Sequence, residues 1–163
     1  VSDPRIFLHE VARVLDPKGV LLFTTLGLDT LKECRQAFSA VDEGVHVHDF
    51  FDMHDVGDLL LDLGFTDPVV DTQFVTVNYQ SIGQLFDDLR ACGATNAHMQ
   101  RQAGLMGKDK WRKMLAAYGA FKKEDKFPGT YEIIFGHAWG LKLQRVENGE
   151  ANISLAAMER MLK

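Results

Sequence analysis

Cysteine is nearly absent from this chain: Cys34 and Cys92 are the two thiols among 163 residues. A disulfide framework is excluded as the source of stability, and a reducing compartment, the cytoplasm, is the expected location. No apolar run is long enough to span a bilayer, and no segment has the order of a secretory or transit peptide, so neither membrane insertion nor export is read from the sequence. Positive charge is not in excess either. Against 23 Asp and Glu stand 18 Lys and Arg, a net charge of −5, which argues against a dedicated nucleic-acid binder with its basic stripe. Internal repeats and low-complexity tracts are also missing. With 46% hydrophobic and 25% charged residues, what remains is the composition of a soluble globular domain large enough to bury a core.

The segment SDPRIFLHEVARVLDPKG carries a helix-start signature, Asp3 at the N-cap and Pro4 at the first helical position, with Phe7, Val11, Val14 and Leu15 on one face and Pro17 and Gly19 as terminators. Val20 to Leu26 is a continuous apolar and β-branched run, the pattern of a strand buried on both faces. Thr30 with Glu33 reads as a capping box opening a helix with Leu31, Cys34, Phe38 and Val41 at helical spacing. After the loop GVHVHDFFDMHD, Val56, Leu59, Leu60 and Leu63 form the stripe of a third helix that stops at Gly64, and PVVDTQFVTVNY reads as a second strand. Ser81 and Gln84 make another capping box, for a helix with Ile82, Leu85, Phe86 and Leu89 inward. A fifth helix from Asp109 repeats the spacing at Trp111, Met114, Leu115 and Tyr118.

The third strand is the segment GTYEIIFGHAWG. With period two, Tyr131, Ile133, Phe135 and His137 face one way and Glu132, Ile134, Gly136 and Ala138 the other, so neither face reads as wet and the strand belongs inside a sheet. Beyond Leu143 the composition shifts to the polar QRVENGEAN and a short amphipathic helix with Leu155, Met158 and Leu162. The order of elements is an α/β pattern with a small sheet. Three buried-looking strands are few for a complete sheet, and the first wants a neighbour on each side; the expectation is a chain that begins partway through a larger domain.

LHEVARVLDPKGVLLFTTLG resembles the segment of S-adenosylmethionine-dependent methyltransferases in which a helix ends in a proline-glycine turn and leads into the fifth strand of a seven-stranded sheet. FFDMHDVGDLLLDLGFTDPVVD, DLRACGATN, GLMGKDKWRKMLAAY and GTYEIIFGHAWG resemble, more narrowly, the malonyl-acyl-carrier-protein O-methyltransferases of biotin synthesis. The resemblance implies an α/β fold, the carboxy-terminal half of a seven-stranded Rossmann-like methyltransferase sheet, with a helical insert between the last two strands. On this expectation residues 1–143 belong to the methyltransferase domain, 81–128 form the insert, a lid or docking surface, and 144–163 are a polar linker and tail helix. It also implies transfer of a methyl group from S-adenosylmethionine to the free carboxylate of a malonyl thioester on acyl carrier protein. The glycine-rich loop and the acidic residue with which the superfamily holds the donor have no counterpart here, and no G-x-G-x-x-G occurs. The full-length enzyme is therefore expected to be active with S-adenosylmethionine, and this chain alone to neither bind it nor act.

A malonyl carboxylate is already ionised at neutral pH, so such a reaction asks for positioning and exclusion of water rather than a general base. No catalytic residue is singled out. The candidate substrate-binding residues are Thr24 and Thr25, at the strand end where open α/β sheets place ligands, Tyr131, which the resembling fold's antiparallel last strand brings to the same end, and Arg101, in the insert. For the threonines an ordinary strand-end role stands beside the ligand role, and for Arg101 a solvated surface group stands beside carboxylate binding. His137 lies some 20 Å along the strand from Tyr131 at about 3.3 Å per residue and is expected to be structural. His46, His48 and His54 lack a cysteine or a closely spaced fourth ligand, and no metal is assigned. Lys108, Lys110, Arg112 and Lys113 form a local basic cluster on an acidic protein, a dock for an acidic acyl carrier protein or simply a solvated helix face. An arginine hydroxylase on the same scaffold and a non-enzymatic interaction domain are the alternative functions. An unpaired first strand beside the helix carrying Phe7, Val11 and Val14 would leave apolar surface, through which two copies of the chain are expected to associate.

Overall fold

The computed structural model describes residues 3–94 and 106–141. Their elements run in the order α1 (Pro4–Val14), β1 (Val20–Leu26), α2 (Lys32–Ser39), α3 (Met53–Asp62), β2 (Thr66–Tyr79), α4 (Ile82–Ala91), α5 (Lys108–Gly119) and β3 (Phe127–Trp139). The strands form a three-stranded sheet in the order β1-β3-β2. Gly140 N–H donates to Gly19 O and Gly27 N–H to Glu132 O, both at 2.9 Å, so partners of β1 descend along β3 and the two strands are antiparallel. The tail helix expected after residue 150, and Arg101, lie outside the described residues.

The described residues divide into two compact units, 3–22 with 57–69 and 136–141, and 23–56 with 70–94 and 106–135. In the first, Asp3 caps α1 as its sequence predicts, its carboxylate accepting from Arg5 N–H at 2.8 Å. The inward side chains of α1 are Leu8 and Ala12, while Phe7 (48% exposed) and Val14 (68%) face solvent. The stripe of Phe7 and Val14 is thus uncovered, as the sequence leads one to expect, and the helix packs instead through Leu8 and Ala12, which that stripe does not include. Leu59, Leu60, Phe65 and Ala138 complete the buried set of this unit. Gly140 is an obligate glycine, because a Cβ there would lie 2.2 Å from the carbonyl oxygen of Asp16.

The second unit holds the larger core, with Cys34 and Phe38 of α2, Tyr79, Ile82 and Leu85, and Met114 and Tyr118 of α5. Helices α4 and α5 follow the sequence closely: the Ser81 hydroxyl accepts from Gln84 N–H (3.3 Å), the Gln84 side chain accepts from Gln80 N–H (3.0 Å), and Met114 and Tyr118 are fully buried. The start of α2 does not. Thr30 and Glu33 make no capping box with each other; the N-cap is Leu31, in the left-handed region (φ 53°, ψ 35°), with no side-chain cap. Both polar side chains reach across to β3 instead. Thr30 Oγ1 donates to Glu132 O (3.1 Å), and the Glu33 carboxylate accepts from the backbone N–H (3.1 Å) and the hydroxyl (2.5 Å) of Thr130. The strained Leu31 is held by its own N–H to Thr130 O at 2.6 Å.

Strand β1 has the apolar run of a doubly buried strand but, as expected of a strand lacking one neighbour, lies at the sheet edge. Its residues alternate between exposed and half-buried, with Val20, Leu22, Thr24 and Leu26 outward, because β1 is an edge of the described sheet rather than an inner strand. The inner position belongs to β3, whose Thr130, Glu132, Ile134, Gly136 and Ala138 are all buried. The opposite face of β3 is half open, Tyr131 and Ile133 being partly buried and Phe135 exposed, so only one of its two apolar faces is dry.

Candidate functional site

Within the second unit the strand end carrying Leu26, Tyr79 and Tyr131 borders a cavity of about 770 Å³. Its walls are mainly apolar: Leu31, Cys34 and Phe38 from α2 and its N-cap, Val75 and Val77 from β2, Phe86 and Leu89 from α4, and Ile133 from β3. A concave, apolar space with a few convergent polar groups is the usual form of a small-molecule site. Its polar groups are the hydroxyls of Tyr79 and Tyr131, the rings of His46 and His48, and Asp88 and Arg90 on α4.

The two phenols converge because Tyr79 ends β2 and Tyr131 lies in the first half of the neighbouring β3. Their oxygens are 3.2 Å apart, and either can donate. Burial, and then the bond to Tyr79, pushes the Tyr131 hydroxyl well above its ordinary range, so it stays a neutral donor. Cys34 is likewise a thiol rather than a thiolate: burial raises it to about 12, and its S–H points to Tyr118 Oη at 3.9 Å. Tyr118 in turn donates to Pro128 O at 2.7 Å and is itself raised by burial. Arg90 is exposed and bound to Asp87 at 2.6 Å, which places its charge at the outer wall of the cavity.

His46 is fixed from two sides. Its ring stacks on Phe38 with centroids 4.2 Å apart, and its Nε2 lies 2.7 Å from Asp42. The other oxygen of Asp42 accepts from Lys110 Nζ at 2.8 Å, so one carboxylate ties the segment after α2 to α5. Lys110, and next His46, hold the Asp42 carboxyl well below the ordinary carboxylate range.

Of the residues expected to bind substrate, Tyr131 lines the cavity. Thr24 is exposed on β1 and Thr25 half-buried, and neither is among the lining residues, which begin one residue later at Leu26. In the basic cluster Lys108, Arg112 and Lys113 are exposed on α5, Arg112 is bound to Asp109 at 2.7 Å, and Lys110 is engaged by Asp42. Sequence reasoning passed over Tyr79, whose signal was available: a lone tyrosine closing one apolar strand, facing a tyrosine that opens the next.

Below the cavity floor Glu132, 9% exposed, is held by neutral donors, Asp29 N–H at 2.8 Å and Thr72 Oγ1 at 3.3 Å. Its side chain packs over Gly27, where an added Cβ would meet the carboxylate carbon at 2.3 Å. This contact fixes the turn that leads from β1 to Thr30 and Leu31 on the cavity wall.

The chain is 48% identical over 130 residues to the malonyl-[acyl-carrier protein] O-methyltransferase of Gallionella capsiferriformans, a match to 80% of this chain and 45% of that protein. It is 44% identical over 163 residues to malonyl-[acyl-carrier protein] O-methyltransferase 1 of Coxiella burnetii, a match to 99% of this chain and 57% of that protein. The chain is a homologue of the malonyl-[acyl-carrier protein] O-methyltransferases. It spans about half the length of the curated relatives it matches. No protein-family model matches it. In fold, it is similar to the crystal structure of the YcgJ protein of Bacillus subtilis, with a TM-score of 0.51 at 14% identity, over 86% of this chain and 59% of that one. Among the described residues no helix is long and apolar enough to cross a membrane.

Proposed function

We propose that the full-length protein transfers a methyl group to the free carboxylate of a malonyl thioester carried on acyl carrier protein, in biotin synthesis, and that the cavity of the second unit receives the malonyl group. The observation that carries this reading is the 44% identity to a malonyl-[acyl-carrier protein] O-methyltransferase along 99% of the chain. The character of the cavity supports it. A carboxylate acceptor needs no base, and the groups beside it, the Tyr131 phenol and the Cys34 thiol, are held in their protonated forms. Apolar walls strip water from the bound anion and strengthen the few hydrogen bonds that orient it.

S-Adenosylmethionine, the donor that the resemblance implies, supplies an electrophilic sulfonium methyl. The described residues do not by themselves fit it: the sequence has no glycine-rich turn to approach it, and Arg90, the arginine on the cavity wall, is already bound to Asp87. In this reading the chain provides the acceptor side and is inactive alone. The exposed Lys108 and Lys113 of α5 are the proposed contacts for the acidic carrier.

The test is to incubate the full-length protein with S-adenosylmethionine and a malonyl carrier and to look for the methyl ester by mass spectrometry. A protein that leaves the malonyl group unmethylated but hydroxylates an arginine peptide would instead be an oxygenase on this scaffold.

A further inference from the structure

Resting on that reading, we infer that Tyr131 and Tyr79 form a two-phenol relay that recognises the acceptor carboxylate and distinguishes a malonyl thioester from an acyl thioester without a terminal charge. Two phenols hold two protons. The 3.2 Å contact uses one of them, and no other described residue is seen to accept from either hydroxyl, so one O–H remains to be directed into the cavity that both line. When a carboxylate enters, Tyr131 donates to it and Tyr79 donates to the Tyr131 oxygen. The second bond polarises the first and makes Tyr131 a stronger donor. Tyr131 is then a binding residue and Tyr79 a positioning residue acting through it.

A neutral donor suits this acceptor better than a cation does. A guanidinium bonded to both oxygens would withdraw charge from the oxygen that must attack, whereas one phenol orients the carboxylate and leaves the other oxygen rich in electrons. The competing candidate, Arg90, is exposed and paired with an equally exposed Asp87, so water screens its charge and leaves it little hold on an anion within the cavity.

The experiment measures binding of malonyl-coenzyme A and acetyl-coenzyme A to the full-length protein by calorimetry, with S-adenosylhomocysteine present so that nothing turns over. The unmodified protein should favour the malonyl thioester. Tyr131→Phe should reduce that preference about tenfold or more, the loss of one hydrogen bond to a charged group, and Tyr79→Phe about threefold. Melting temperature and S-adenosylhomocysteine affinity should stay unchanged. A structural role alone would weaken both thioesters equally and leave the ratio intact, which overturns the inference, as does a preference that disappears in Arg90→Gln instead. Should Tyr131→Phe fail to fold, Tyr79→Phe decides alone, and an unchanged ratio refutes the relay. If the unmodified protein neither prefers nor methylates the malonyl thioester, the proposed function fails and the relay with it. If it methylates and the tyrosine variants keep the full preference of the unmodified protein, the function stands and the relay does not.

Discussion

Gly27→Ala is the substitution whose cost follows most directly from the structure. The backbone of Gly27 is not in the left-handed region, so alanine is excluded by space and not by conformation. The new methyl would lie 2.3 Å from the Glu132 carboxyl carbon and 2.5 Å from its Oε2. Glu132 must swing aside, and its buried carboxylate then loses the N–H of Asp29 and the hydroxyl of Thr72. Overpacking costs about 1–3 kcal/mol. The loss of hydrogen bonds to a buried charged group adds about 1.5–3 kcal/mol. A total of about 2.5–6 kcal/mol should lower the melting temperature by roughly 5–20 °C for a chain of this size, read by calorimetry or circular dichroism. The control is the double-mutant cycle. In a Glu132→Ala background the methyl has room, and Gly27→Ala should cost less than about 1 kcal/mol. Equal costs in the two backgrounds would refute the steric argument.

Other outcomes follow from the same contacts. Because burial raises Cys34 to about 12, native alkylation between pH 7 and 9 should modify the exposed Cys92 and spare Cys34, with both modified after unfolding; peptide mapping reads this. Asp42 is depressed by Lys110 and His46, so its contribution to stability is complete above the ordinary carboxylate value of 3.8 and is lost as pH falls below it. Asp42→Asn should therefore lower stability at neutral pH and flatten the acid limb of the stability profile. Charge reversal of Lys108 and Lys113 in the full-length protein should raise KM for a malonyl carrier about fivefold and leave malonyl-coenzyme A nearly unaffected. Reversal of Lys110 should impair both substrates, since Lys110 is bonded to Asp42.

The regular parts of the fold were legible. Capping marked α1 and α4, spacing marked α5, β-branched runs marked β1 and β2, and a period-two pattern apolar on both faces marked β3, because these signals act over a few residues. The errors lie where partners come from afar. Thr30 and Glu33 have the spacing of a capping box, yet β3 offers both a partner nearly a hundred residues away, and those bonds fix a left-handed Leu31 that local propensity disfavours. The Tyr131–Phe135 face of β3 was read as buried, yet Phe135 is exposed, because apolar composition shows what a strand can tolerate and not what covers it. Tyr131, expected at the ligand end of its strand, does line the cavity; Tyr79 carried a local signal as the tyrosine that closes β2, but its pairing with Tyr131 depends on the register of two strands separated by α4 and α5.

That register has a consequence for how the sequence can drift. Tyr131 and Glu132 are adjacent, and the pleat sends one to the cavity and the other over Gly27. Substitution along β3 changes one contact at a time. A single residue inserted or deleted between Phe127 and Tyr131 exchanges the two faces at once, carrying a carboxylate into the apolar cavity and a phenol against the glycine. Homologues should therefore vary in side chain through this segment while holding its length constant, with changes of length confined to the stretch between α4 and α5.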